Sequence, residues 1–491
     1  MRWTFCGLLL LTTLAIDQVP REVRGIVETD AGPVEAACVR FQATAISTQT
    51  DAAGRFTLRG DGQKITAWKA GYFIAGVNVN GSDPLTLRLR PLPQEDNPDY
   101  LWVDPRPGRG HHRCANCHAE IFREWQGSAH ARSASGPHLL GLYAGTDIDG
   151  RPDAGWSLLK EHPHGASVCA ACHAPAVALT DPGYEDLRQL TGVARLGTHC
   201  DYCHKIAEAP LERLGTAHGR FAYRLLRPQE GQLFFGPLDD VDRNEDAFSP
   251  LYKQSQYCAS CHEGTVFGAP VYTTYTEWLS SPAGRSGQTC QSCHMAPTGK
   301  MTNIAPGHGG VERDPMTLAS HDTPGANLTM LRRCLKLRPR LLATTNGWEV
   351  QVEVSAVDVG HHVPTGFIDR HLILVVEGQA ADGTSIAVQS GPRLSAAVGD
   401  ATVVGAAGAL FAKQIADEAG NQPVPFWQFH RVAADTRLRP GEPQHFRWSF
   451  PKQTSVVVVR LTYRRFWKID ADRKRWPDNE LVIFEERLAV K

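Results

Sequence analysis

CANCHAEIFREWQGSAH, residues 114–130, opens on Cys114-x-x-Cys117-His118 and closes on a second histidine, His130. The same opening recurs as CAACH (169–173), CDYCH (200–204), CASCH (258–262) and CQSCH (290–294), so ten of the 13 cysteines fall in five like frames. Two thiols three positions apart can add to the two vinyl groups along one edge of a haem, and the next residue then offers an imidazole to the iron. Zinc sites also use Cys-x-x-Cys pairs but need no histidine directly after every second cysteine. Disulfides in a secreted chain need no such regularity. The pattern reads as five covalently bound haem c groups. Attachment falls to Cys114, Cys117, Cys169, Cys172, Cys200, Cys203, Cys258, Cys261, Cys290 and Cys293, and the proximal iron ligands are His118, His173, His204, His262 and His294.

The rest of the composition narrows the setting. The 491 residues carry a formal net charge of −1, which speaks against a nucleic-acid or membrane-surface partner. Residues 1–16 read as a secretory signal peptide: Arg2 precedes the short apolar run Phe5–Leu14, and Thr13-Leu14-Ala15 supplies small residues for cleavage. Cys6 precedes most of that run, so no lipoprotein is read. No later stretch has the length and apolarity of a membrane span. A periplasmic or secreted protein is expected, which suits c-type haem. Cys38 and Cys334 remain, and are expected to be buried free thiols.

The chain divides into segments of different pattern. Residues 22–92 alternate short β patterns with turns and predict a small β-sandwich. Residues 93–110, in a stretch rich in proline and charge, read as a linker. Residues 111–330 hold all five motifs, about 45 residues for each, too little for a conventional core, so short helices packed on the porphyrins are expected. One such helix is predicted over 119–126, with Ile121 and Trp125 on one face. Successive motif histidines are 55, 31, 58 and 32 residues apart, which suggests two close pairs, 173/204 and 262/294, plus a leading haem. Residues 331–491 return to β patterns and predict a C-terminal β-sandwich. GWEVQVEV (347–354) is its clearest alternation, and a hairpin is expected over 371–389 with its turn at Asp382-Gly383. The fold class is thus multidomain: a small N-terminal β-sandwich, a loop-rich, short-helix pentahaem cytochrome c domain and a C-terminal β-sandwich.

Fifteen histidines lie outside the motifs. Ligand nitrogens lie about 4 Å apart across an iron, and a helix over 119–126 alone spans roughly 12 Å, so His130 is assigned to a haem other than that of His118. His218 and His321 follow motifs at loop spacing and are further distal candidates, as are His162 over His164 and His112 over His111. His199, next to Cys200, is read as packing, and His308 is held in reserve. Met301, Met316 and Met330 are alternative caps, while Met295, directly after a proximal histidine, is badly placed. His361 and His362 are read as polar residues beside a Pro364-Thr365-Gly366 turn in preference to axial ligands.

Two resemblances add to this reading. The opening Val-x-Gly-x-Val, the Thr50-Asp51…Gly54-x-Phe56 turn and Gly71-Tyr72 resemble a carboxypeptidase regulatory-like domain, which implies a prealbumin-like sandwich without catalysis, used for docking or spacing. From Tyr100 onward the chain resembles the multihaem cytochromes c grouped around the tetrahaem electron carrier of ammonia oxidisers. The residues that carry this are the first motif followed by Trp125-x-x-Ser128-x-His130, CQSCHM at 290–295, Ser320-His321 and GHHVPTG at 360–366. That resemblance implies bis-histidine ligation and electron transfer with redox partner proteins; the fifth motif departs from the tetrahaem pattern. The expected function is an extracytoplasmic pentahaem carrier that passes electrons by hopping. The alternative is an oxidoreductase acting on a small nitrogen or sulfur species at one open iron, and the carrier can also be a subunit of a larger assembly. The Cys-x-x-Cys-Lys site of pentahaem nitrite reductases is absent from the sequence.

Overall fold

The computed structural model describes residues 21–81, 84–110, 112–164, 167–177 and 185–490; the signal-peptide segment 1–16 and His111 lie outside them. The chain falls into two compact units, one of residues 1–94 with 238–249, the other of 95–237 with 250–491.

The first unit contains two four-stranded sheets. In one, Arg21–Thr29 runs antiparallel to Arg55–Gly60 and parallel to Leu85–Arg88. In the other, Cys38–Phe41 and Lys64–Trp68 are the central pair. Alternate residues of both sheets, among them Val23, Val27, Val39, Phe41, Leu58, Ile65 and Leu87, meet in one core, the period-two burial expected of half-buried strands. The turn before Arg55 needs Gly54: its φ is +71°, and a Cβ there would stand 2.4 Å from the Val27 carbonyl. Asp51 closes that turn by accepting the N–H groups of Ala53 and Arg55. Residues 238–249, which lie inside the haem segment in sequence, belong here: Asp239 accepts from the Trp68 indole at 3.0 Å, and Asp240 from the Ala43 N–H at 2.7 Å.

In the second unit the motif-bearing stretch is built from short helices, as its chain-to-motif ratio demands. Ala119–Gly127, with nine residues, carries the 119–126 prediction. Its buried residues are Phe122, Glu124 and Trp125, with Ile121 half-buried on the Trp125 face, and the Glu124 carboxylate turns inward to accept the His321 N–H at 2.7 Å. The stretch read as a linker is pinned at several points. Asp96 pairs with buried Arg227 at 2.5 Å, the Tyr100 hydroxyl bonds Asp201 at 3.0 Å, and the Pro105 carbonyl accepts from Ala115 at 3.0 Å.

After Cys334 two sheets share another core. Leu335–Thr344, Gly347–Ala356 and Gln444–Pro451 form the first. His371–Gln379, Val456–Arg464 and Glu480–Ala489 dominate the second. Val350, Val352 and Val354 face Leu372, Leu374, Val457, Val459 and Leu461 across it, as the 347–354 alternation requires. Leu335–Thr344 is an edge strand, where Pro339 costs no ladder bond the sheet needs. The turn at Asp382-Gly383 is present, with Gly383 at φ +86°, but its second arm is only Ser385–Ile386. Cys38 and Cys334 are free and half-buried.

His371 is fully buried at the start of its strand, stacked on Trp467 at 4.2 Å, and its Nδ1 donates to the Asp369 carbonyl at 2.8 Å. Burial pulls its pKa down to about 3. The unfolded chain therefore binds a proton here that the fold refuses, so the fold loses stability as pH falls below about 6.5 towards 3, at about 1.4 kcal/mol per pH unit. His371→Phe is expected to remove about 2 kcal/mol of the wild type's loss between pH 6.5 and 5, read from denaturant midpoints; an identical pH slope in both proteins would refute this.

Candidate haem-binding site

Each Cys-x-x-Cys-His unit ends or occupies one short helix, which places the two thiols of a pair, three residues apart, on one face. Side chains cap two of these helices. The Thr289 hydroxyl accepts from Ser292, and His199 Nδ1 accepts from Tyr202, each at 3.3 Å. His199 is thereby a buried capping residue, in keeping with the packing role read for it.

The histidines that follow are oriented by main-chain carbonyls. Nδ1 of His118 lies 2.8 Å from Ile304 O, that of His173 3.0 Å from Ser133 O, that of His204 2.5 Å from Phe235 O and that of His294 2.8 Å from Pro324 O. A carbonyl only accepts, so Nδ1 carries the proton and the lone pair stands on Nε2. Metal-bound imidazoles are held in this way. Burial lowers the pKa of His173 and His204, and takes that of His262 to about 3 with help from His130 and His294. The imidazoles are thus kept neutral, the form that can donate to iron.

The thiols show how the motifs adjoin. The Cys114 thiol lies against that of Cys200, Cys172 against Cys261, and Cys258 against Cys290. The first motif therefore neighbours the third, the second the fourth, and the fourth the fifth. The fourth and fifth motifs of the expected pair 262/294 are thus in contact, and the second and third approach one another through the Thr198 hydroxyl, 3.4 Å from the Cys172 carbonyl. The chain closes on itself here: Trp125 donates to the Thr198 carbonyl at 2.9 Å, and Thr198 N–H donates to the His130 carbonyl at 3.2 Å. Gly197 makes this closure, at φ +68° and with no room for a side chain beside Ser133 and His130.

Two further histidines face motif histidines. The ring of His130 lies 6.3 Å from that of His262, and the ring of His361 lies 6.3 Å from that of His294, nearly parallel at 15°. Two metal–nitrogen bonds of about 2 Å, plus about 1 Å from nitrogen to ring centre at each end, require about 6 Å. Both pairs fit one metal between them. Nδ1 of His361 lies 2.9 Å from the His362 carbonyl, so its lone pair too stands on Nε2. The structure thus places His361, read from the sequence as a polar turn residue, opposite a motif histidine. The signal available was GHHVPTG itself, and spacing along the chain carried no hint of its partner.

The remaining candidates divide. His321 is half-buried, and its pKa falls to about 4 through desolvation and then through His204 and His118, which places it beside the first and third motifs. His218 does not present its outer nitrogen: Nε2 is 3.0 Å from the Thr265 carbonyl, so that atom donates and cannot ligate. His162 packs its ring 4.5 Å from Phe267, and His112 is exposed; among the described ring contacts neither meets a motif histidine. These three distal assignments are therefore not supported by the geometry.

Around the second motif lies a small apolar cleft of about 70 Å³. Cys169, Cys172 and His173 open onto it, opposite Tyr143, Phe367 and Trp427. The described cysteines are all free thiols, and no group of three or more His, Cys, Asp or Glu among the described residues is arranged to hold a metal ion directly. Paired thiols beside a neutral, oriented imidazole suit covalent haem c.

Residues 113–205, which contain the first three motifs, match the family described as cytochrome c554 and c-prime. The fold is similar to that of a penta-heme cytochrome c552 from Thermochromatium tepidum, with a TM-score of 0.56 and 23% identity, over 77% of this chain and 97% of that one. No curated protein matches the chain. The fold is that of a multihaem cytochrome c. No helix among the described residues is long and apolar enough to cross a membrane.

Replacing Cys290 and Cys293 together by serine is expected to lower covalent haem by one equivalent per chain. The pyridine haemochrome and the intact mass both report it, and an unchanged haem content would exclude attachment there.

Proposed function

We propose that this protein is an extracytoplasmic carrier of electrons with five haem c groups, two of them held between histidine pairs from distant segments. The observation that carries the proposal is the 6.3 Å separation of His130 from His262 and of His361 from His294. Bound haem would supply reversible one-electron chemistry, passed between neighbouring groups by hopping. The chain's part is to fix the imidazoles, hold them neutral and exclude water. His321 is the candidate to face His204. The thiol contacts between motifs support close neighbours, and redox partner proteins are the expected donor and acceptor. The absence of a spanning helix among the described residues is compatible with the secretion expected from residues 1–16. We read the paired sheets of residues 22–92 as a carboxypeptidase regulatory-like β-sandwich used for docking or spacing, and those of 331–491 as a second β-sandwich; their shared cores support both.

The ligand pairs are open to a direct test. His361→Ala and His130→Ala are each expected to turn one low-spin haem high-spin in the electron paramagnetic resonance spectrum, at unchanged haem content. Two variants that both keep the wild-type spectrum would dismiss the pairing.

The cleft at the second motif favours a second reading, an oxidoreductase for a small nitrogen or sulfur species. Of the two histidines lining the cleft, His173 is the proximal candidate and His218 has committed its Nε2. Reduced wild-type protein is then expected to bind carbon monoxide at one haem, and Leu142→Trp, which fills the cleft, to weaken that binding about tenfold or more. A protein indifferent to carbon monoxide and cyanide leaves the carrier reading alone.

A further inference from the structure

The loop that carries His361 is gripped by a buried ion pair that ligand geometry alone does not require. Glu277 lies on the helix Thr274–Ser280, which precedes the fifth motif, and only 5% of it is exposed. One of its carboxylate oxygens accepts from Arg437 at 2.6 Å and from the Thr273 hydroxyl at 2.5 Å. The other accepts from the Thr365 hydroxyl at 2.6 Å and from the His362 backbone N–H at 3.3 Å. Arg437 is itself buried and held by both oxygens of Asp435, at 2.8 and 2.7 Å. The carboxylate thus holds 360–366 at two points C-terminal to His361, at residues 362 and 365. On the other side of His361, Gly360 sits flush on the helix, where a Cβ would come within 3.2 Å of the Trp278 ring and of Ala283.

A buried ion pair is a poor source of net stability, since desolvation offsets most of its attraction, but with every lone pair satisfied it selects one geometry. Here that geometry is the height and tilt of an imidazole opposite His294. We propose that Glu277 and Arg437 are positioning residues, a clamp that sets the His361 ring at the fifth motif and thereby controls how readily that site exchanges its distal ligand. The proposal rests on the reading of His361 as an axial ligand. It assigns the β region after Cys334 a task at the redox centre, delivered through two charged side chains that touch no motif residue.

The test uses the holoprotein and three variants. Glu277→Ala opens the clamp, Thr365→Val removes one grip without stranding a buried charge, and His361→Ala is the reference. The clamp variants are expected to keep full haem content. One haem should become mixed-spin, and carbon monoxide should bind it about tenfold or more faster than in wild type. Combining Glu277→Ala with His361→Ala should add nothing to His361→Ala alone. If Glu277→Ala fails to fold, Thr365→Val carries the test by the same spectrum and rate. If His361→Ala becomes high-spin at one haem while the clamp variants keep the wild-type spectrum and carbon monoxide rate, the clamp is refuted and the ligand stands. If His361→Ala leaves every haem low-spin, the ligand reading itself falls.

Discussion

Nδ1 protons committed to main-chain carbonyls are the constraint on which the second unit is built. His118, His173, His204 and His294 each donate to a carbonyl 30 or more residues away in sequence, the farthest being Ile304. Each bond fixes three things together: the ring's rotation, its tautomer and the position of a remote segment. It also explains how so short a chain per motif can be ordered before any apolar core is counted. A ring placed by a carbonyl needs no partner side chain, so the space around it is left for packing, as at Ser133, whose carbonyl and hydroxyl both bond His173. At His173 and His204 burial then disfavours protonation, which would take up the Nε2 lone pair and cost a desolvated charge.

Under the proposed His361–His294 pairing the C-terminal β region belongs to the centre. Residues 357–370 cross from the strand Gly347–Ala356, in one sheet, to His371–Gln379, in the other. The core of Val350, Val354, Leu372 and Leu374 fixes where that crossing starts and ends. A loop tethered at both ends by buried strands and in the middle by Glu277 has little freedom, and His361 inherits that rigidity. Preorganisation of this kind lowers the structural adjustment that accompanies a change of charge at a metal, which suits repeated one-electron transfer.

How far the sequence disclosed this depends on the range of each interaction. The five motifs, the short helices, the Asp51–Gly54 turn and the 347–354 alternation are local, and their residues state them directly. His130 could be moved away from its own motif by helix length alone. Its partner could not be read, because that depends on how 119–198 folds back through Trp125, Gly197 and Ser133. His218, with favourable spacing, donates its Nε2 to Thr265, a carbonyl no motif announces. His361 lay in a segment whose β pattern directed attention to turns.

The five motifs differ in their surroundings, and the difference bears on carrier against catalyst. Among the motif cysteines Cys293 is the exposed one, whereas Cys169 and Cys172 face a cleft walled by Tyr143, Phe367 and Trp427. A site that exchanges electrons with another protein needs an edge near water. A site that admits a small molecule needs enclosed space beside the metal. The thiol contacts put the fourth motif against both the second and the fifth. The exposed motif and the cleft are therefore separated by one motif, the fourth, so the proposed carrier and oxidoreductase readings are compatible in one chain.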